Sequence, residues 1–342
     1  MKNPEMGFNP NSIEQSDTPA KGQESWWQEL YDRYSAQFKK SIVKTITVGL
    51  MLQFSHFEAH KVYGSQLEND RSEISKTEER SEAQVRKDLS TDRYERLFIE
   101  INNQMYEFQG VGSERTIFLK FTDIEQFLKI HPGFESNIAI THTHPVATYE
   151  KVFELLGVPL EKREAMLQSG QVPEQPPSMM DFISQYQTQE YFENKGISVT
   201  GKAIDPESTW EYSIDPQSKF IPSILKSQQD LSDSLSEQLS PKDWQLITDL
   251  LSDKSDPRFI EEALAKDSGN KELDKDKQRI AKILRDSEDR IQSQSIEAWQ
   301  TYDMIEKLAV KVVGAETIND RRVAITEYIT YCKRFGIVVQ VE

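Results

Sequence analysis

The chain has 342 residues and is 37% hydrophobic, enough to fill the core of one large domain or two ordinary ones. Its 57 acidic against 41 basic residues give a formal charge of −16, which argues against a nucleic-acid-binding surface. Cys332 is the single cysteine, so no intrachain disulfide and no thiolate zinc cluster can form, a usage that suits a cytoplasmic protein.

Residues 1–25 are polar and rich in turn formers and read as a disordered tail. Residues 26–92 read as a helical N-terminal region: Trp27, Leu30, Tyr31, Tyr34, Phe38 and Ile42 recur at three and four residues, the spacing of one helix face. The apolar-leaning run Thr45–Phe57 is shorter than the roughly 20 residues of a membrane-spanning helix, so no membrane span is expected. The alternative is secretion or membrane association through residues 39–57, where three lysines precede the run but no small-residue cleavage motif follows it. Residues 66–90 are charged, carry almost no apolar stripe, and read as a solvated helix or linker.

The texture changes near residue 93. "RLFIEI", "MYEFQGV" and "RTIFLKF", separated by turn formers, predict a meander of three strands. "TDIEQFLKIHPGFES" predicts a short helix capped by Thr122 or Asp123 and ended at Pro132-Gly133. "NIAITHTHP" is the next strand, and "ISVTGKAIDPESTWEYSI" a hairpin turning at "DPES". Together these make a mixed α/β domain over residues 93–222. Residues 223–342 read as a helical C-terminal region, with one helix opened by Ser240-Pro241, a long pattern from Lys271 to Val313 stopped by Gly314, and a last helix before the short edge strand "IVVQV". The long pattern offers a surface for helix-mediated self-association.

Two of the chain's five histidines, His142 and His144, fall at the end of the "NIAITHTHP" strand. Residues i and i+2 of a strand share a face, so the two rings point the same way, as zinc ligands or as a polar strand end. A mononuclear zinc site needs a third protein ligand, and no histidine follows His144. "PPSMMD", Pro176 to Asp181, offers a carboxylate: Ser178 and Asp181 form an S-x-x-D capping box at a helix start, which would fix the direction of Asp181.

"THTHP" on a strand followed by "PPSMMD" at a helix start resembles the H-x-H-P and P-S-x-x-D elements of the JAMM (MPN-plus) zinc metalloprotease family. The resemblance covers residues 93–222 and implies an α/β, MPN-like mixed sheet with flanking helices, here with helical N- and C-terminal extensions. It implies zinc held by His142, His144 and Asp181, with Ser178 stabilising the oxyanion and an upstream glutamate as general base toward a zinc-bound water. "EFQG" at Glu107 resembles the family's E-x-x-G element and makes Glu107 the expected base, with Glu100 and Glu114 as rivals. The implied reaction is hydrolysis of a peptide or isopeptide bond next to ubiquitin or a ubiquitin-like protein, so the expected partner is a protein substrate. Thirty-three residues separate His144 from Ser178, more than the family usually has, so residues 146–177 read as a helical insert. The alternative is a catalytically silent MPN-like interaction module.

Overall fold

The computed structural model describes residues 79–90, 92, 95–108, 111–113, 116–118, 121–130, 137–146, 161, 174–252, 264–315 and 317–342. The expected tail at 1–25, the helical stretch 26–78, Glu114 and most of the insert at 146–177 lie outside the described residues.

The protein is a mixed α/β structure built on a seven-stranded sheet. Its strands are β1 (Glu79–Arg80), β2 (Leu97–Ile101), β3 (Gln104–Phe108), β6 (Asn137–Thr143), β7 (Ser198–Ile204), β8 (Thr209–Ile214) and β9 (Ile337–Val341), in the order β1-β3-β2-β6-β7-β8-β9. All neighbours are antiparallel except β6 and β7, whose parallel pairing needs a crossover. Helix α3 (Met179–Glu193) lies in that crossover and packs on β7 and β8. The short strands β4 (Val111–Ser113) and β5 (Thr116–Phe118) pair only with each other. This corrects the expected meander, because its third member forms a separate ribbon rather than joining β2 and β3.

Local chemistry explains most of these elements. Asn102 and Asn103 join β2 to β3 with φ of 51° and 63°, the two left-handed residues of a tight hairpin turn that asparagine tolerates well. Helix α2 (Phe121–Ile130) starts at Phe121, ahead of the expected caps Thr122 and Asp123, and buries Ile124 and Phe127 beside Phe192 of α3. The hairpin of β7 and β8 turns at the predicted "DPES". There the buried Asp205 accepts from the Glu207 and Ser208 backbone N–H groups, the Ser208 hydroxyl and the Trp210 indole.

Two expectations about organisation are refined. Residues 82–88 form helix α1 (Glu82–Asp88), and Val85 and Leu89 are buried against Phe98, Met105 and Ile204 on one face of the sheet. Two apolar residues four apart suffice to dock a two-turn helix, so of the two expectations, solvated helix or linker, 82–88 is the helix, with one face docked and Glu82, Ala83, Gln84 and Lys87 exposed. The expected boundary at 222 also falls inside an element, since Pro222 sits in the first turn of α4 (Phe220–Gln238), where proline's missing N–H costs nothing.

The C-terminal helices α5 (Pro241–Ser252), α6 (Lys271–Gln294), α7 (Ile296–Val313) and α8 (Ile318–Lys333) follow the predicted pattern, with one break at Ser295. They share a single core with the sheet: Met179, Phe182, Trp210 and Tyr212 pack in one cluster with Ile305, Tyr328 and Ile337. The expected edge strand is present as β9 on β8. Among the described residues no helix is long and apolar enough to cross a membrane.

Register assigns each side chain to a face. Leu97, His142, Ala203 and Trp210 are cross-strand partners and share the face covered by α3. On this face Gly201 lies opposite Tyr212, and a Cβ there would come within 2.3 Å of the tyrosine ring. The glycine therefore makes the room in which that ring lies. Gly201→Ala is expected to destabilise the protein by about 1–3 kcal/mol, as overpacking does. Urea unfolding checks this, and an unchanged midpoint would mean that the ring has another place to go.

Candidate metal centre

The strand β6 delivers His142 and His144 to the same face, and its pairing with both neighbours holds them there. Leu97 and Ala203 flank His142, and the His144 N–H donates to the Ile204 carbonyl at 2.8 Å, extending the parallel ladder one residue past the strand. The Nε2 atoms of the two rings lie 3.0 Å apart. Between them Thr143 points the opposite way, buried, and its Oγ1 accepts from the Arg96 N–H at 2.8 Å, while its own N–H donates to the Arg96 carbonyl at 3.0 Å.

The third donor comes from the first turn of α3. Ser178 is the N-cap, and its hydroxyl accepts from the Asp181 N–H at 3.3 Å. Asp181 Oδ2 in return accepts from the Ser178 N–H at 2.7 Å and the Ser178 hydroxyl at 2.8 Å. The predicted capping box is thus fully formed, and it consumes one carboxylate oxygen. The other, Oδ1, lies 3.5 Å from His142 Nε2. One ligand atom from each of His142, His144 and Asp181 lies within 4.8 Å of the others.

The donor set fits a small divalent cation. Zinc bonds of about 2.0–2.1 Å at a tetrahedral angle place adjacent donors roughly 3.3 Å apart; the two separations from His142, 3.0 and 3.5 Å, bracket that spacing, and the third pair lies within 4.8 Å. Burial, aided by the neighbouring His142, pushes the His144 imidazolium down to about 3, so the ring stays neutral with a lone pair to offer. The His142 and Asp181 side chains keep 14% and 24% exposure, which leaves the open side of the triad accessible from solvent.

Further groups fix the ligands. Tyr212 Oη lies 3.5 Å from His142 Nδ1, at the far limit of a hydrogen bond. A proton on Nδ1 pointing at that oxygen leaves Nε2 free to ligate. The Gln175 N–H is held by Asp205 Oδ2 at 3.0 Å, near His144, whose buried Nδ1 makes no hydrogen bond among the described residues. The hairpin turn and the segment leading to Ser178 are therefore tied by one buried carboxylate.

The expected general base is elsewhere. Glu107 pairs with Phe98 across β2 and β3, so it projects from the face opposite His142, where it makes ion pairs with Arg80 at 3.3 Å and Arg96 at 3.7 Å. Its rival Glu100 is on that same opposite face, 2.9 Å from Lys202. Strand parity instead puts Glu95 on the ligand face. It stands two residues before Leu97, the partner of His142, so the alternation that puts Leu97 on the ligand face puts Glu95 there too, at the level of His144. Enclosure of its carboxyl and the nearby Asp181 charge push Glu95 up to about 8. No motif marks Glu95; the signal for it is its parity with Leu97, legible only once β2 is paired with β6.

Ser178 lies where expected, at the helix start beside Asp181, and in this structure its hydroxyl donates to Asp181 Oδ2. No protein-family model matches the chain, and no curated protein or solved structure is significantly similar to it.

Proposed function

We propose that the chain is a zinc-dependent peptidase or isopeptidase of JAMM type, with Glu95 rather than Glu107 as its general base. The observation that carries this reading is the convergence of His142, His144 and Asp181, with Glu95 on the same face by strand parity. His142, His144 and Asp181 would hold the ion, and zinc there would supply a Lewis acid and an acidified water at neutral pH.

The rest is work for the protein's own groups. Glu95, ionised beside the charge of the bound ion, would take up a proton from the nucleophile and return it to the leaving amine. Ser178 keeps Asp181 in one rotamer, and Tyr212 turns the His142 ring. The resemblance in "THTHP" and "PPSMMD" suggests the substrate class, a peptide or isopeptide bond after a ubiquitin-like tail.

The silent-module reading draws on one observation, that the glutamate of the E-x-x-G-like element is spent in ion pairs with Arg80 and Arg96. Hydrolysis separates the two readings. Zinc-loaded full-length protein is expected to cleave ubiquitin carrying a C-terminal peptide or an isopeptide-linked lysine peptide, and a chelator is expected to abolish that cleavage. Zinc-loaded protein that leaves both probes intact would overturn the peptidase reading and favour the interaction module.

A further inference from the structure

We propose that Glu306 on α7 and Tyr328 on α8 are positioning residues for Asp181, acting through the chain on either side of Ser178. The proposal rests on reading Asp181 as a metal ligand.

The first N–H groups of a helix have no partner within it. The capping box satisfies those of Ser178 and Asp181, which leaves those of Met179 and Met180, and Glu306 Oε1 accepts the Met179 N–H at 2.6 Å across 127 residues of sequence. On the other side of Ser178, the buried Tyr328 hydroxyl donates to the Pro177 carbonyl at 2.6 Å. The carbonyl before the cap and the N–H after it are thus both gripped by helices from the far end of the chain. Those helices have little freedom, because Ile305, Ala309, Ala324 and Tyr328 share a core with Met179 and Phe182.

This gives the C-terminal helices a place in the site that their distance in sequence hides. A capping box alone fixes Asp181 relative to its own helix. The two clamps fix that helix start relative to the sheet carrying His142 and His144, and ligand spacing depends on that relation. Burial pushes the Glu306 carboxyl up to about 7, with the Asp181 charge contributing, which is a second sign that the two acids are close. A carboxyl in either protonation state and an amide both present an oxygen to the Met179 N–H, so glutamine should substitute for Glu306.

The test uses the full chain as wild type, Glu306→Ala, Glu306→Gln and Tyr328→Phe. Zinc affinity is read by competition with a chromophoric chelator and Met179 amide exchange is read on metal-free protein, with the urea midpoint confirming a folded state. Glu306→Ala is expected to weaken zinc binding by about tenfold or more, the scale of groups that orient metal ligands, and to speed Met179 exchange. Glu306→Gln is expected to match wild type in both. Equal zinc affinity in a folded Glu306→Ala protein overturns the proposal, and so does a glutamine variant as weak as alanine. If Glu306→Ala does not fold, Tyr328→Phe carries the decision, with weaker zinc binding expected and unchanged binding overturning it. A wild type that binds no zinc defeats the metal reading itself, an outcome distinct from a variant that binds as wild type does.

Discussion

Glu95→Gln is expected to lower the rate of hydrolysis by about 10²–10⁴-fold, the usual contribution of a positioned general base, while leaving zinc content at the wild-type level. Glutamine keeps the shape of the side chain and removes its capacity to carry a proton. Glu107→Gln, made in parallel, should change the rate by no more than about twofold, because Glu107 lies across the sheet in ion pairs with Arg80 and Arg96 and such pairs contribute little. The pair of variants is decisive in either direction. If Glu107→Gln inactivates and Glu95→Gln does not, the assignment by strand parity is wrong.

The same residue gives a pH signature in metal-free protein. Glu95 is raised to about 8 in the folded state, so between its unfolded value near 4.5 and about 8 the folded chain binds the extra proton. Stability from this group is full below about 4.5 and is lost as the pH rises through about 8. Glu95→Gln should flatten that part of the stability profile, and urea unfolding across the range measures it.

The second large effect is at Asp181. Asp181→Ala removes a proposed metal ligand and half of the capping box together, so zinc binding should collapse and stability should fall by about 1 kcal/mol. Ser178→Ala separates the two roles: it costs about the same stability, but Oδ1 of Asp181 remains to face His142, so zinc binding should weaken without disappearing. A Ser178→Ala protein that loses zinc as completely as Asp181→Ala would show that the hydroxyl does more than orient the ligand.

How much of this was legible beforehand depends on the range of the signal. The strand that carries His142 and His144, the hairpin around Asp205, the cap at Ser178 and the helices from Pro241 onward are written in local patterns, and local sequence places them well. The three residues that could hold a metal were legible because each half of that group is local too, an i, i+2 pair on a strand and an S-x-x-D helix start. Glu95 was not, since its face is set by pairing with a strand some forty residues away. Glu107 looked better because a short motif can be read without knowing the sheet. The roles of Glu306 and Tyr328 were likewise out of reach, because contacts across 127 and 151 residues leave no periodicity to detect. The docked face of helix α1 was hidden for a different reason: with only Val85 and Leu89 buried, its apolar stripe is too short to stand out among charged neighbours.

The most direct test of the central claim is the zinc content of full-length protein purified without added metal, wild type beside His142→Ala and Asp181→Ala. The account predicts about one zinc per wild-type chain and none in either variant, as a site of three protein ligands requires. A wild type that takes up no zinc even after reconstitution would contradict it.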